Sequence, residues 1–265
     1  MSEYGSLSGE RGGTGVFGVF GYQRGNVKPY VPWAVGHARD PVESDLWSRL
    51  SESDYLHLLE DPRGQVDETI RCELDPWYWI MNYVWTNDEH WVMKGKHGAY
   101  QRFPAKRHLR EYAGHLFRER YTAWPKDRQQ MITWLVSTWI LGDALFTGGR
   151  LYMIQSKREA DSQKVLSRMM GVYERMKVAA PWLGPGWKRV NSGEVAFENG
   201  SIVMAVPEGP HYVQSHTPAW LFADEAQLQD SMAEAYYQAL PACERVTLVG
   251  SVDYGWFCQD FLAGK

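Results

Sequence analysis

At 265 residues, with 44% hydrophobic and 23% charged side chains, the chain is long enough for one large α/β domain with an N-terminal extension, or for two small domains. Its net charge of −4 excludes a strongly basic nucleic-acid coat, so any DNA contact must be local or shared with partner chains. Three widely spaced cysteines, Cys72, Cys243 and Cys258, form no CxxC or Cys/His cluster, which argues against zinc and suits a reducing compartment; no stretch approaches ~20 apolar residues, so no membrane-spanning helix is expected.

Residues 1–30 are rich in Gly, Ser and charge around Val16-Phe17-Gly18-Val19-Phe20-Gly21, and read as a flexible arm without a secretory signal. Residues 41–61 carry a helical spacing of Val42, Leu46, Leu50, Tyr55, Leu58 and Leu59, with Ser51 or Ser53 as candidate N-cap. Residues 75–92 gather Trp77, Tyr78, Trp79, Tyr83, Trp85 and Trp91, part of a complement of 13 Trp and 15 Tyr that can fill a core or stack on a base. A Gly/Lys loop over 94–104 ends at Phe103-Pro104, and His108 to Arg120 reads as an amphipathic helix.

From there strand and helix alternate. A short strand over 121–124 precedes a helix over 133–146, closed by Gly148-Gly149. A strand over 151–155 leads to a helix over 159–177. Strands over 195–197 and 202–206 flank Asn199-Gly200, a strong hairpin signal. A strand over 220–223, a helix over 231–239 and a strand over 245–252 complete the series. This alternation predicts an α/β fold with a mostly parallel central sheet and helices on both faces.

The segment Leu221-Phe222-Ala223-Asp224-Glu225-Ala226 carries the chemistry. A buried apolar strand that ends in adjacent carboxylates is costly unless something at its tip needs negative charge. An NTPase supplies the reason: Asp224 can hold Mg²⁺, directly or through water, and Glu225 can polarise the water that attacks the γ-phosphate. The structural alternative is an Asp-Glu pair that starts a loop or caps a helix.

A phosphate-binding loop requires backbone amides, a cation and a Ser/Thr hydroxyl at a helix start. No GxxxxGK[ST] string is present. The nearest stretch is Lys126-Asp127-Arg128-Gln129-Gln130-Met131-Ile132-Thr133. Thr133 takes the hydroxyl position, Lys126 and Met131 fill the glycine positions, and Ile132 replaces the usual lysine. Lys126 and Arg128 supply cations, and the helix that follows offers roughly half a positive charge at its N-terminus. The missing glycines remove the backbone freedom that usually lets such a loop approach phosphate.

Taken in order, these pieces resemble the large terminase subunit of tailed viruses, the ATPase that pumps DNA into a procapsid. Members carry a deviant loop of the form Lys-Ser-Arg-Gln-Met-x-x-Thr-Trp, matched here by Lys126 to Trp134. A Gln/Ser/Lys turn (Gln155-Ser156-Lys157) and a Pro-Trp-Leu segment (Pro181-Trp182-Leu183) follow. Next come the Asn199-Gly200 hairpin, a Ser-His-Thr-Pro loop (Ser215 to Pro218), the Walker B strand Leu221 to Ala226, and a coupling motif Leu248-Val249-Gly250-Ser251. The resemblance covers roughly residues 76–265 by this reading.

It implies a P-loop NTPase of the additional-strand type, with the coupling strand between the phosphate-loop strand and the Walker B strand. An N-terminal helical and aromatic part over 31–120 would precede an NTPase core over 121–265. The cofactors implied are ATP and Mg²⁺. Glu225, Lys126 and Arg128 would be catalytic, Asp224 and Thr133 would hold the metal, and Gln129, Thr133 and Ser251 would contact the nucleotide, Ser251 as a γ-phosphate sensor. Trp79, Tyr83, Phe103 and Pro104 are the candidates for the adenine pocket. Implied partners are double-stranded DNA, sister subunits in a ring, a portal and a small terminase subunit, in the host cytoplasm at the procapsid vertex.

The sequence departs from the family in three respects. Asp127 replaces Ser and brings an anion beside the phosphates. Gln214 occupies the place of an arginine finger, which can be worth ~10³–10⁵ in rate. Members continue into an RNase-H-like nuclease, whereas Lys265 follows soon after the coupling motif, so that domain is expected to be absent from this chain. A helicase-like nucleic-acid ATPase and a catalytically dead P-loop scaffold are the alternative functions.

Overall fold

The computed structural model describes residues 38–45, 49–87, 100–127, 130–252 and 256–262. The expected arm over 1–30, Trp91, and the loop residues Arg128 and Gln129 lie outside the described residues.

Three helices come first: α1 (Glu52–Glu60), α2 (Pro62–Leu74) and α3 (Pro76–Tyr83). Each starts on a side chain that accepts a first-turn amide. Ser51 accepts from Asp54 N at 3.1 Å, Asp61 from Arg63 N at 3.1 Å, and Asp75 from Tyr78 N at 2.9 Å. In α2 and α3 a proline follows the capping aspartate, where its missing N–H costs nothing. The single helix expected over 41–61 is therefore corrected. Residues 41–43 form a turn, and helix begins at Glu52, where Ser51 supplies the cap.

Every residue of α3 is buried, so the aromatic cluster of 77–83 is core. Next comes an antiparallel pair, β1 (Trp85–Asn87) and β2 (Tyr100–Arg102). The remaining elements are α4 (Arg107–Arg118), β3 (Tyr121–Lys126), α5 (Ile132–Phe146), β4 (Leu151–Ser156), α6 (Glu159–Ala179), β5 (Trp187–Asn191), β6 (Glu194–Phe197), β7 (Ile202–Pro207), α7 (Pro210–Gln214), β8 (Trp220–Asp224), α8 (Met232–Ala242) and β9 (Arg245–Ser251).

The main sheet has seven strands in the order β3-β9-β8-β4-β7-β6-β5. Strands β3, β9, β8, β4 and β7 pair in parallel, while β6 and β5 add an antiparallel margin. The fold is thus α/β with a mostly parallel sheet, and β9 lies between β3 and β8 as the additional-strand arrangement requires. Strand β5 escaped the sequence reading because Trp-Lys-Arg-Val-Asn is largely exposed at the sheet margin and lacks an apolar alternation.

Successive residues of each central strand feed opposite cores, as the two-residue period of a strand dictates. Trp124, Tyr152, Ile154, Trp220, Phe222 and Val249 join α3, α4, α5 and α6 on one face. Ala123, Met153, Leu221, Ala223, Val246 and Leu248 meet α8 on the other. Burial on both faces explains why β8 reads as an unbroken apolar run up to Asp224. Helix α5 is apolar nearly all round because the sheet and neighbouring helices enclose it.

No helix among the described residues is long and apolar enough to cross a membrane.

Candidate active site

The carboxyl ends of the parallel strands converge, the usual place for a ligand in an open α/β sheet. Lys126 closes β3, Asp224 closes β8 and Ser251 closes β9, where Ser251 stands opposite Lys126 in the ladder. Helix α5 opens one step away, with Thr133 in its first turn.

These side chains are in direct contact. The Lys126 ammonium donates to Thr133 Oγ1 at 2.7 Å and to Asp224 Oδ1 at 3.2 Å. It also pairs with Glu225 Oε1 at 3.3 Å. Thr133 Oγ1 donates in turn to Asp224 Oδ1 at 2.8 Å. One cation thus neutralises adjacent carboxylates at a helix N-terminus, although the groups are far apart in sequence. Lys126 and Asp224 are nearly enclosed, at 11% and 9% side-chain exposure, whereas Glu225 is open to solvent at 38%. Asp224 is thus the shielded carboxylate of the pair, and Glu225 the accessible one. Burial raises the Asp224 pKa above the ordinary carboxylate value, against the opposing pull of the Lys126 charge and the Thr133 hydroxyl.

Among the described residues, the non-glycine residues with positive φ are Met131 and Glu225, and both border this cluster. Met131 (φ 62°) is the N-cap of α5, and Glu225 (φ 52°) turns the chain directly after β8. A left-handed non-glycine residue costs about 1–2 kcal/mol, and such conformations concentrate where function requires them. Met131 occupies one of the loop positions at which glycine is usual, so this chain reaches the left-handed region there without glycine.

Amide side chains brace the strand ends. Gln155, fully buried at the end of β4, donates to Gln229 Oε1 at 2.8 Å, and Gln229 Nε2 donates to the Asp224 carbonyl at 2.9 Å. Gln227 Nε2 donates to Glu225 Oε2 at 2.7 Å. The sequence reading passed over Gln227 and Gln229. Their signal was a pair of amides in the short turn after an acidic strand end, where no apolar periodicity accounts for them.

The structure brings together Lys126, Thr133, Asp224, Glu225 and Ser251. Trp79 and Phe103 belong to the buried core cluster. Both rings are fully buried, Trp79 packs edge-on against Phe146 with centroids 6.0 Å apart, and neither offers a free face to a base. Tyr83 is equally enclosed and donates its hydroxyl to Glu68 at 2.8 Å. The adenine-pocket expectation for these aromatics is corrected, because the same ring area that suits base stacking is spent on the core. Asp127 is exposed just beyond β3, and Gln214 is exposed at the end of α7. No group of three or more His, Cys, Asp or Glu among the described residues could hold a metal ion.

No protein-family model matches the chain, and no curated protein matches it. Solved structures do match, and those found are phage large terminases. The ATPase domain of the Thermus phage P74-26 large terminase is 15% identical, over 52% of this chain and 61% of that one, with a TM-score of 0.41. The HK97 bacteriophage large terminase is 14% identical, over 58% of this chain and 34% of that one, with a TM-score of 0.44. The large terminase of a thermophilic bacteriophage, solved with ATP-γ-S, is 17% identical, over 53% and 35%, with a TM-score of 0.39. The chain spans less than two thirds of the length of each of these proteins.

Proposed function

We propose that this chain is the ATP-hydrolysing motor domain of a viral DNA-packaging terminase, driving double-stranded DNA into a procapsid. The observation that carries the reading is the contact of Lys126, Thr133, Asp224 and Glu225 at the ends of β3 and β8, with β9 between them. A charged turn before an ordinary helix would have no reason to meet a carboxylate pair so distant in sequence. The order of motifs along the chain then selects the terminase type from among NTPases.

The donor set fits Mg²⁺. That ion takes hard oxygens from one or two carboxylates, with substrate phosphates and water completing its shell, so no larger carboxylate cluster is needed. Thr133 and Asp224 would hold it, and when bound it would neutralise charge on the β- and γ-phosphates. Lys126 would exchange its carboxylate contacts for phosphate oxygens. The first amides of α5 would face the same anion. Glu225, the more accessible carboxylate, would orient the attacking water and accept its proton. Arg128 and Gln129 would complete the loop. Because Gln214 is a neutral amide, a transition-state arginine would come from elsewhere, such as a neighbouring subunit in a ring. Portal and small-subunit partners, and a place in the host cytoplasm, follow from the same reading.

The test is Mg²⁺-dependent ATP hydrolysis by the chain, with and without duplex DNA, beside Glu225→Gln. The reading expects turnover that falls by ~10²–10⁴ in the variant while ATP affinity is kept. Near-wild-type turnover in Glu225→Gln would overturn the assignment of that carboxylate. Strand separation would favour a helicase-like enzyme, and absence of ATP binding with assembly retained would favour a scaffold.

A further inference from the structure

Gln227 occupies a position that neither packing nor the proposed chemistry accounts for. It lies in the turn Ala226–Leu228, between the end of β8 and α8. Its Nε2 donates to Glu225 Oε2 at 2.7 Å, and its Oε1 accepts from the backbone amide of Ser251 at 3.0 Å. Only one orientation of the carboxamide satisfies both contacts, because the carboxylate can only accept and the amide can only donate. The other Glu225 oxygen meets Lys126, and Lys126 is the ladder partner of Ser251. Lys126, Glu225, Gln227 and Ser251 therefore form a closed ring across the ends of β3, β8 and β9.

The residue before Ser251 makes room for this link. A Cβ at Gly250 would stand 2.5 Å from Gln227 Oε1, and 2.9 Å from the Phe257 ring. The absence of a side chain at Gly250 is thus what lets the Gln227 carboxamide lie across β9.

We propose that Gln227 is a positioning residue for Glu225: it ties the water-orienting carboxylate to the end of β9, so that the two move as one. The proposal rests on the ATPase reading above. It assigns to a glutamine outside the phosphate loop the task of holding a left-handed glutamate in its working orientation, and it gives the end of β9 a mechanical connection to that carboxylate. Gln227 itself has no role in binding nucleotide.

The experiment compares ATP turnover and ATP affinity in wild type, Gln227→Met, Gln227→Ala and Gly250→Ala. Circular dichroism and thermal melts establish that each variant is folded. Methionine keeps the length and packing of glutamine but can make neither hydrogen bond. The proposal expects kcat to fall by about tenfold or more in both Gln227 variants, with KM for ATP within about twofold of wild type. Gly250→Ala, which displaces the carboxamide without altering it, should show the same split. Recovery of wild-type kcat by Gln227→Met would overturn the proposal, because packing alone would then explain the residue. A rise in KM at constant kcat would also overturn it. If wild type itself neither binds nor hydrolyses ATP, the ATPase reading fails and takes the proposal with it. Turnover in wild type that is unchanged in the Gln227 variants removes the proposal alone.

Discussion

The Thr133 hydroxyl donates to Asp224 Oδ1 across 2.8 Å, although the two residues stand 91 positions apart in the chain. Thr133 is held by the first turn of α5, and Asp224 by the last position of β8. The contact therefore reports the register of the whole sheet-and-helix frame. A hydroxyl, a carboxylate and the Lys126 ammonium meet there in mutual contact.

Lys126→Ala should expose what that ammonium balances. The variant leaves Asp224 and Glu225 adjacent with no cation between them, so ATP affinity should fall while Mg²⁺ becomes the better stabiliser. Binding of Mg²⁺ at ten times its dissociation constant would contribute about 1.4 kcal/mol. In a domain of this size that raises Tm by roughly 2–4 °C. Thermal melts with and without Mg²⁺ should show a larger rise in Lys126→Ala than in wild type. An equal response in both would mean that the lysine and the metal do not share this space.

Trp79→Ala should act on stability and leave the site intact. Removing a fully buried tryptophan costs about 3–5 kcal/mol. Denaturant melts should show that loss, while the folded fraction keeps ATP affinity within about threefold of wild type. A selective loss of ATP binding at unchanged stability would restore Trp79 to the base pocket.

Asp143 should make stability depend on pH. It is buried in α5, where it accepts from Tyr152 Oη at 3.0 Å and from Thr147 Oγ1 at 2.9 Å. Burial pushes its pKa up from 3.8 to about 6, against the pull of Arg150 and the Thr147 hydroxyl. Between those values the folded state holds more protons than the unfolded one, so stability falls as pH rises from about 4 to about 6 and is level above. The loss is on the order of 3 kcal/mol for a shift of this size. Asp143→Asn removes the titration, so its stability relative to wild type should climb across the same window. A constant difference between the two proteins would contradict the raised pKa.

How much of this was legible in the sequence depends on the kind of signal. Strands β4, β8 and β9 and helices α5 and α6 announced themselves, because burial on both sides of the sheet leaves long apolar runs between turns. The Asn199-Gly200 hairpin was equally plain, since Gly200 takes φ 86°. Helix α2 was missed because its sequence is polar and its face is open, with Val66 and Ile70 exposed. Its Asp61-Pro62 start was nevertheless readable as a cap. In the site, Asp224, Glu225, Lys126 and Thr133 could be named from residue type and spacing. Gln227 and Gln229 could not, because a short turn after a strand carries no periodicity and their partners depend on which strands become neighbours. Aromatic residues misled for a related reason: composition cannot distinguish a ring that stacks on a ligand from one that fills a core, and Trp79 and Phe103 fill the core.

The central claim is that Lys126, Thr133, Asp224 and Glu225 form a magnesium-dependent ATP site. Isothermal titration of ATP into wild type and Asp224→Asn, with Mg²⁺ and with a chelator, tests it most directly. The account predicts binding by wild type that tightens with Mg²⁺, and weaker binding by Asp224→Asn that no longer responds to the metal. Equal, metal-independent affinities in the two proteins, or no ATP binding by either, would contradict it.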